Sequence, residues 1–159
     1  MTDLAPRSPR ASLTEMTELV LPQHSNVLGT AFGGTVLAWI DIAGAICAQR
    51  HSGRVSVTAA IDEVNFLSPI RVGDVVILSA RLNAAFRTSV EVEVAVQVED
   101  RTTGARRRCV DAFMTFVAVD EQGKAVEVPP LLSESGEDER RAAEAQERRE
   151  KRLAERARR

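Results

Sequence analysis

The stretch Thr35-Val36-Leu37-Ala38-Trp39-Ile40-Asp41-Ile42-Ala43-Gly44-Ala45-Ile46-Cys47-Ala48 decides how the rest of the chain is read. Leu, Ala, Ile and Trp dominate it and no proline interrupts it. Gly33-Gly34 opens it, and Gln49, Arg50 and His51 close it ahead of Gly53. Roughly 16 residues of helix would run about 24 Å. Turned at 100° per residue, its apolar side chains cover nearly the whole circumference. Such a helix is expected to be buried on all sides.

After Gly53 the period changes from helical to two. Val55, Val57, Ala59 and Ile61 alternate with Ser56, Thr58, Ala60 and Asp62 up to Phe66, and Ser68-Pro69 to Gly73-Asp74 makes a turn. Val76, Leu78, Ala80 and Leu82 form one face of the next strand. Beyond Arg87-Thr88-Ser89, Val90, Val92, Val94, Val96 and Val98 alternate with Glu91, Glu93, Ala95, Gln97 and Glu99. Thr102-Thr103-Gly104 turns into a last strand, Arg106 to Asp120, and Thr14 to Leu21 is a short strand candidate ahead of the helix. Short turns pair neighbours antiparallel. The fold class is α+β: one long buried helix wrapped by a curved antiparallel sheet of five to six strands. One helix cannot also close both sheet edges, so burial is expected to continue in at least a dimer.

Composition bounds the rest. A chain of 159 residues, 44% hydrophobic and 28% charged, can build one domain with a proper core. Its net charge of −2 argues against a nucleic-acid binder. No uncharged apolar run reaches the length of a membrane span, and Met1 to Ala11 lacks the apolar core of a secretory signal. Cys47 and Cys109 lie in apolar segments without CxxC spacing, which fits buried, reduced thiols in a cytoplasmic protein.

Charge concentrates at the end. Residues 134–159 carry nine basic and eight acidic side chains and almost nothing large and apolar. The expected organisation is a disordered segment over 1–11, one folded domain over 12–132, and a charged tail over 133–159, helical or disordered. Spacings such as Glu137/Arg141 and Glu144/Arg148 favour a solvated helix. Without an apolar stripe the tail is expected to add little to stability or substrate affinity. The cluster from Arg148 to Arg159 leaves a second reading, a hook for phosphates or a partner.

Asp41 is the residue that stands out, the only charge between Phe32 and Gln49. A carboxylate buried without partners costs several kcal/mol at least, on the order of a whole interaction network. It either reaches the helix edge and a hydrogen bond, or serves as a general base or nucleophile. Gly33 and Gly34 at the helix start allow close approach of a ligand and present free N–H groups, which suits a thioester carbonyl that becomes negative in the transition state. Asn26, seven residues earlier, is a turn former or a group that holds water or a carbonyl. No GxSxG, phosphate-loop, GxGxxG or HExxH motif is present, and two histidines exclude a His-rich metal site.

The run Asn26-Val27-Leu28-Gly29-Thr30-Ala31-Phe32-Gly33-Gly34, followed by Leu37-Ala38-Trp39-Ile40-Asp41, resembles the hot-dog-fold acyl-CoA thioesterases. The branch is that of the cytosolic acyl-CoA hydrolases related to the brain enzyme and of short bacterial single-domain versions. Val57-Thr58, Asn65 to Asp74, Arg87-Thr88-Ser89 and Phe113 to Asp120 agree with it, and the resemblance spans roughly Leu19 to Pro130. It implies a hot-dog fold, paired into dimers with two active sites at the interface and assembled further into a trimer of dimers. It implies hydrolysis of acyl-CoA to CoA and a carboxylic acid, with no metal and no cofactor beyond the CoA of the substrate. Its catalytic Asn and Asp match Asn26 and Asp41, acting across the interface; the Gly34 N–H is expected to polarise the carbonyl oxygen. Gly33, Arg87, Thr88 and Ser89 are candidate substrate-binding residues, the last three for CoA phosphates or pantetheine. Phe86 stands where the family often has Gly, and the charged tail lies outside the resemblance. A hot-dog domain that binds acyl-CoA as a sensor without turning it over is the alternative.

Overall fold

The computed structural model describes residues 3–159. Strand β1 (Thr14–Leu19) precedes helix α1 (Gly33–Ser52), which is followed by β2 (Val55–Phe66), β3 (Val75–Ala85), β4 (Ser89–Glu99) and β5 (Arg106–Val119); helix α2 (Gly136–Ala157) ends the chain. The five strands form one antiparallel sheet in the order β1-β3-β4-β5-β2, so β1 and β2 are its edges. This is the α+β hot-dog architecture, with α1 along one face of the sheet.

Val36, Ile40, Ala43, Cys47 and Ala48 of α1 pack against Leu78, Leu82, Val92, Val94, Met114 and Phe116, all buried. The alternation of β3 and β4 supplies that face. Gly44 sets how close helix and sheet approach, because a Cβ there would stand 2.8 Å from the Phe116 ring. Gly53, at φ 69°, ends α1 in the left-handed conformation that glycine adopts without strain. Both cysteines are buried and unpaired, and burial pushes the Cys47 thiol up to about 11.

Three expectations need correction. First, α1 is not buried all round: Gly34, Ala38 and Ile42 are exposed, and Asp41 and Ala45 half-exposed, along one stripe. That stripe is mostly apolar, as are the exposed Val55, Val57, Ile61 and Phe66 of edge strand β2. Second, β2 does not keep one alternation. Register shifts between Thr58 and Ala60, and again between Ile61 and Glu63, exchange its faces. Val57 pairs with half-buried Val117 on the outer face, whereas Thr58 pairs with the core residue Phe116 and so faces α1.

Third, both termini are packed. Residues 3–11 form an isolated bridge between Arg7 and Leu131 and the start of a 3₁₀ turn, Pro9–Ser12, that tucks Pro9 away; residues 1 and 2 lie outside the described residues. The tail is a helix docked across the outer face of the sheet. Ser135 caps it, with its hydroxyl accepting the Asp138 N–H at 3.1 Å, and Glu137, Asp138 and Glu139 suit the positive end of its dipole. Its inward stripe is charged rather than apolar. Asp138 pairs with Arg81 and, at 3.1 Å, with Arg10; Arg141 pairs with Glu93; Arg148 grips Glu91 at 2.6 Å; Arg152 reaches Asp62 at 2.6 Å. Arg148 also lies 3.9 Å over the Phe113 ring. Asp138 and Glu91 are each only 1% exposed, so they depend on these arginines in place of water. The Glu134 backbone N–H first, then Arg10, Ser135 and Arg81, hold the Asp138 carboxyl well below the usual carboxylate range. No helix among the described residues is long and apolar enough to cross a membrane.

Candidate active site

The predicted residues fall into three places. Asn26 opens a tight turn over residues 26–30, where its Nδ2 donates to Thr30 Oγ1 at 2.8 Å and its Oδ1 accepts the Leu28 and Thr30 N–H groups at 2.9 and 3.3 Å. Ile70 and Arg71 hold this turn down. Ala31 N–H donates to the Ile70 carbonyl at 2.7 Å, and Thr30 bridges Arg71. His24 stands edge-on to Trp39 at 5.2 Å, and the Phe32 N–H donates to its carbonyl at 2.9 Å, which seats the turn beside the start of α1.

Gly33 and Gly34 form the first turn of α1. No side chain caps that terminus, so its leading N–H groups face outward without an acceptor from the chain. An apolar cleft of about 290 Å³ lies alongside, lined by Thr30, Ala31, Val36, Phe66, Leu67 and Ile70. A Cβ on Gly33 would sit 3.8 Å from the Phe66 ring, whereas one on Gly34 would meet nothing.

Asp41 sits two turns further along the same exposed stripe. Its Oδ1 accepts a hydrogen bond from Thr58 Oγ1 at 2.5 Å, while the other carboxylate oxygen has no partner among the described residues. The aspartate thus reaches the helix edge and a hydrogen bond, the first of the two fates its sequence position allowed. Thr58 is the partner of Asp41 that sequence reasoning missed. Its partner strand position follows from the irregularity around Ala59-Ala60, which strict alternation conceals.

Asp41 lies seven positions beyond Gly34, which on a helix is about 10 Å. Both cannot bear on one carbonyl within a single copy. The candidate residues thus fall into two groups, Asn26 with the α1 N-terminus and Asp41 with Thr58. Larger cavities of about 490 and 580 Å³ lie elsewhere, on the outer sheet face and at the β4–β5 turn, and neither is lined by any of these residues. Arg87, Thr88 and Ser89 are apart from both groups, in the β3–β4 turn.

Comparison with known proteins now bears on this geometry. Residues 28–105 match the profile of the thioesterase superfamily. An uncharacterised acyl-CoA thioester hydrolase of Bacillus subtilis is 40% identical over 122 residues, 77% of this chain and 71% of that one. Mouse acyl-coenzyme A thioesterase 11 is 39% identical over 140 residues, 87% of this chain but 24% of that protein, so this chain spans about a quarter of the length of that relative. Among solved structures, the acyl-CoA hydrolase of Staphylococcus aureus in complex with butyryl-CoA, CoA and CoA disulfide superposes with a TM-score of 0.89 at 35% identity, covering 95% of this chain and 92% of that one. That enzyme was also solved with an asparagine, an aspartate and a threonine each changed to alanine, at positions 15 and 17 residues apart; Asn26, Asp41 and Thr58 have the same spacing. Hexameric acyl-CoA thioesterases are among the other matching structures. By its fold, and by relatives of which it spans more than two thirds, the chain belongs to the thioesterase superfamily.

Proposed function

We propose that this chain hydrolyses acyl-CoA thioesters to CoA and a carboxylic acid, at sites that two copies build together. The observation that carries the reading is the division of the chemistry into two half-sites about 10 Å apart on one helix. Asn26 and the Gly34 N–H of one copy would receive the thioester carbonyl, and Asp41 with Thr58 of the other would supply the base. The exposed apolar stripe of α1 and the unpaired β2 edge supply the surface for that pairing, and the resulting dimers assemble into a trimer of dimers.

As water adds to the carbonyl carbon, negative charge grows on the carbonyl oxygen, where the Gly34 N–H and the positive end of the α1 dipole stabilise it. Asp41 accepts the proton of the attacking water, and Thr58 keeps the carboxylate oriented. Collapse of the intermediate breaks the C–S bond, and the proton held by Asp41 passes to the departing CoA thiolate. In the variant of this scheme that uses a nucleophile, Asp41 attacks and water then cleaves the resulting anhydride. Asn26 orients the carbonyl or the water with its remaining amide hydrogen. Gly33 leaves room for the thioester beside Phe66, and the apolar cleft takes part of the acyl or pantetheine chain. The chemistry needs no metal and no cofactor beyond the CoA of the substrate.

Release of free thiol across a ladder of acyl-CoA chain lengths tests the activity. Turnover on one or more lengths is expected. Binding of CoA esters with no thiol release from any of them would overturn it in favour of a sensor.

A further inference from the structure

The β3–β4 turn and α2 meet at a point that the chemistry above does not use. Backbone hydrogen bonds hold the turn: Phe86 N–H donates to the Ser89 carbonyl at 2.7 Å, Ala118 N–H to the Thr88 carbonyl at 3.0 Å and Val128 N–H to the Arg87 carbonyl at 3.0 Å. Among the described residues the hydroxyls of Thr88 and Ser89 make no hydrogen bond, and no carboxylate lies within 4.0 Å of Arg87. On α2, Arg140, Arg141, Arg148 and Arg152 are each paired with a carboxylate. Arg149 and the exposed Arg156 are not, and only Arg149 is set against the sheet. It is half-buried, has no carboxylate partner among the described residues, and lies 4.5 Å over the ring of Phe86.

Stacking on a ring holds a guanidinium by its face and leaves its N–H edges open, the geometry that suits a phosphate. The turn also lies at the end of the sheet nearest the base. Ser89 pairs with Val117 and Val117 with Val57, next to Thr58, two strand spacings or about 10 Å away.

We infer that Arg149, seated on Phe86, joins Arg87, Thr88 and Ser89 in a phosphate-binding site for the CoA end of the substrate. The inference rests on the hydrolase reading for its occupant. It gives α2 a role in substrate binding, and it gives Phe86 a purpose as the platform for that arginine.

The test compares butyryl-CoA with butyryl-pantetheine, which has the same thioester and arm but no phosphate. Arg149→Ala is expected to raise KM for butyryl-CoA about tenfold, the order for losing a charge-assisted contact, with kcat held and KM for butyryl-pantetheine unmoved. Phe86→Gly should move the same KM by a smaller factor, and Arg149→Lys should recover part of the loss. Arg140→Ala, which removes only two exposed pairs on α2, with Glu137 and Glu144, should do nothing. Calorimetry with CoA alone supplies a readout that needs no turnover. Equal effects of Arg149→Ala on both substrates, or CoA bound as tightly by Arg149→Ala as by the parent, would overturn the site. Parent protein that binds CoA through Arg149 but cleaves neither ester would sink the hydrolase reading and leave the site standing; parent protein that neither binds nor cleaves would sink both.

Discussion

Two helices lie on opposite faces of one sheet, and opposite physics holds them. Helix α1 is fastened by apolar packing tight enough that Gly44 admits no Cβ beneath Phe116. Helix α2 contributes one fully buried alanine, Ala145, and otherwise grips the sheet through Arg81–Asp138, Arg141–Glu93, Arg148–Glu91 and Arg152–Asp62. Packing that fills space is cooperative with the whole core, whereas ion pairs on an outer face can be released together as the helix lifts and water returns. The difference teaches that a helix without an apolar stripe still docks where a sheet presents the complementary charges. In the proposed reading it also separates the roles, with the base on α1 and a phosphate contact on α2.

The largest effect is expected at the one charge on the apolar helix. Asp41→Asn should lower kcat at least about 100-fold, as for loss of an acid/base group, with the circular dichroism spectrum retained. Turnover that survives would remove Asp41 from the chemistry. Next comes the packing itself. Gly44→Ala should cost about 3 kcal/mol in denaturant unfolding, at the upper end for overpacking, because the fully buried Phe116 has nowhere to move. A neutral result would mean that the helix and sheet can part at that point.

On the other face, Arg148→Ala should cost about 2 kcal/mol, the order of a hydrogen-bonded charge discounted for the solvent that reaches this arginine. The loss should appear as faster amide exchange confined to α2, because the helix can lift and return Glu91 to water. Exchange that quickened equally in α1 would show that the two helices unfold as one unit. The smallest effect concerns pH. His51, at the end of α1, donates from Nε2 to the Pro129 carbonyl oxygen at 2.7 Å, since a carbonyl only accepts. Burial, opposed by the Pro129 carbonyl and reinforced by Arg7, pushes its imidazole below its ordinary value. The unfolded chain takes up a proton near pH 6.5 that the folded one resists, so stability should decline as pH falls below about 6.5. His51→Gln should flatten that decline, and an unchanged slope would assign it to other groups.

Much of this was legible in the residues. The change of period at Gly53 located α1 and the long strands, because each has a buried face that only one spacing can supply. The seven-residue step from Gly34 to Asp41 already contains the proposed half-site argument, since helical rise is fixed. Other features were hidden for physical reasons. The paired Ala59-Ala60 gives no hydrophobic signal when a bulge exchanges the faces of β2, so Thr58 read as outward. The docking of α2 was concealed because Glu91 and Glu93 look like solvent-facing alternates of β4 until Asp138, Arg141, Arg148 and Arg152 are seen to share one helical stripe. Charge complementarity across elements far apart in the chain has no local signature.

The half-sites are the centre of the account, and one mixing measurement tests them most directly. Asn26→Ala and Asp41→Ala each damage a different half, so each variant alone should release almost no thiol from acyl-CoA. In a mixed dimer of the two, one site carries both lesions and the other is intact. Co-expressed in equal amounts with separable tags, half of the dimers are mixed, and activity should return to about a quarter of the parent value by the symmetry of the pairing. If each copy instead kept a whole site to itself, the mixture would stay as inactive as its two components.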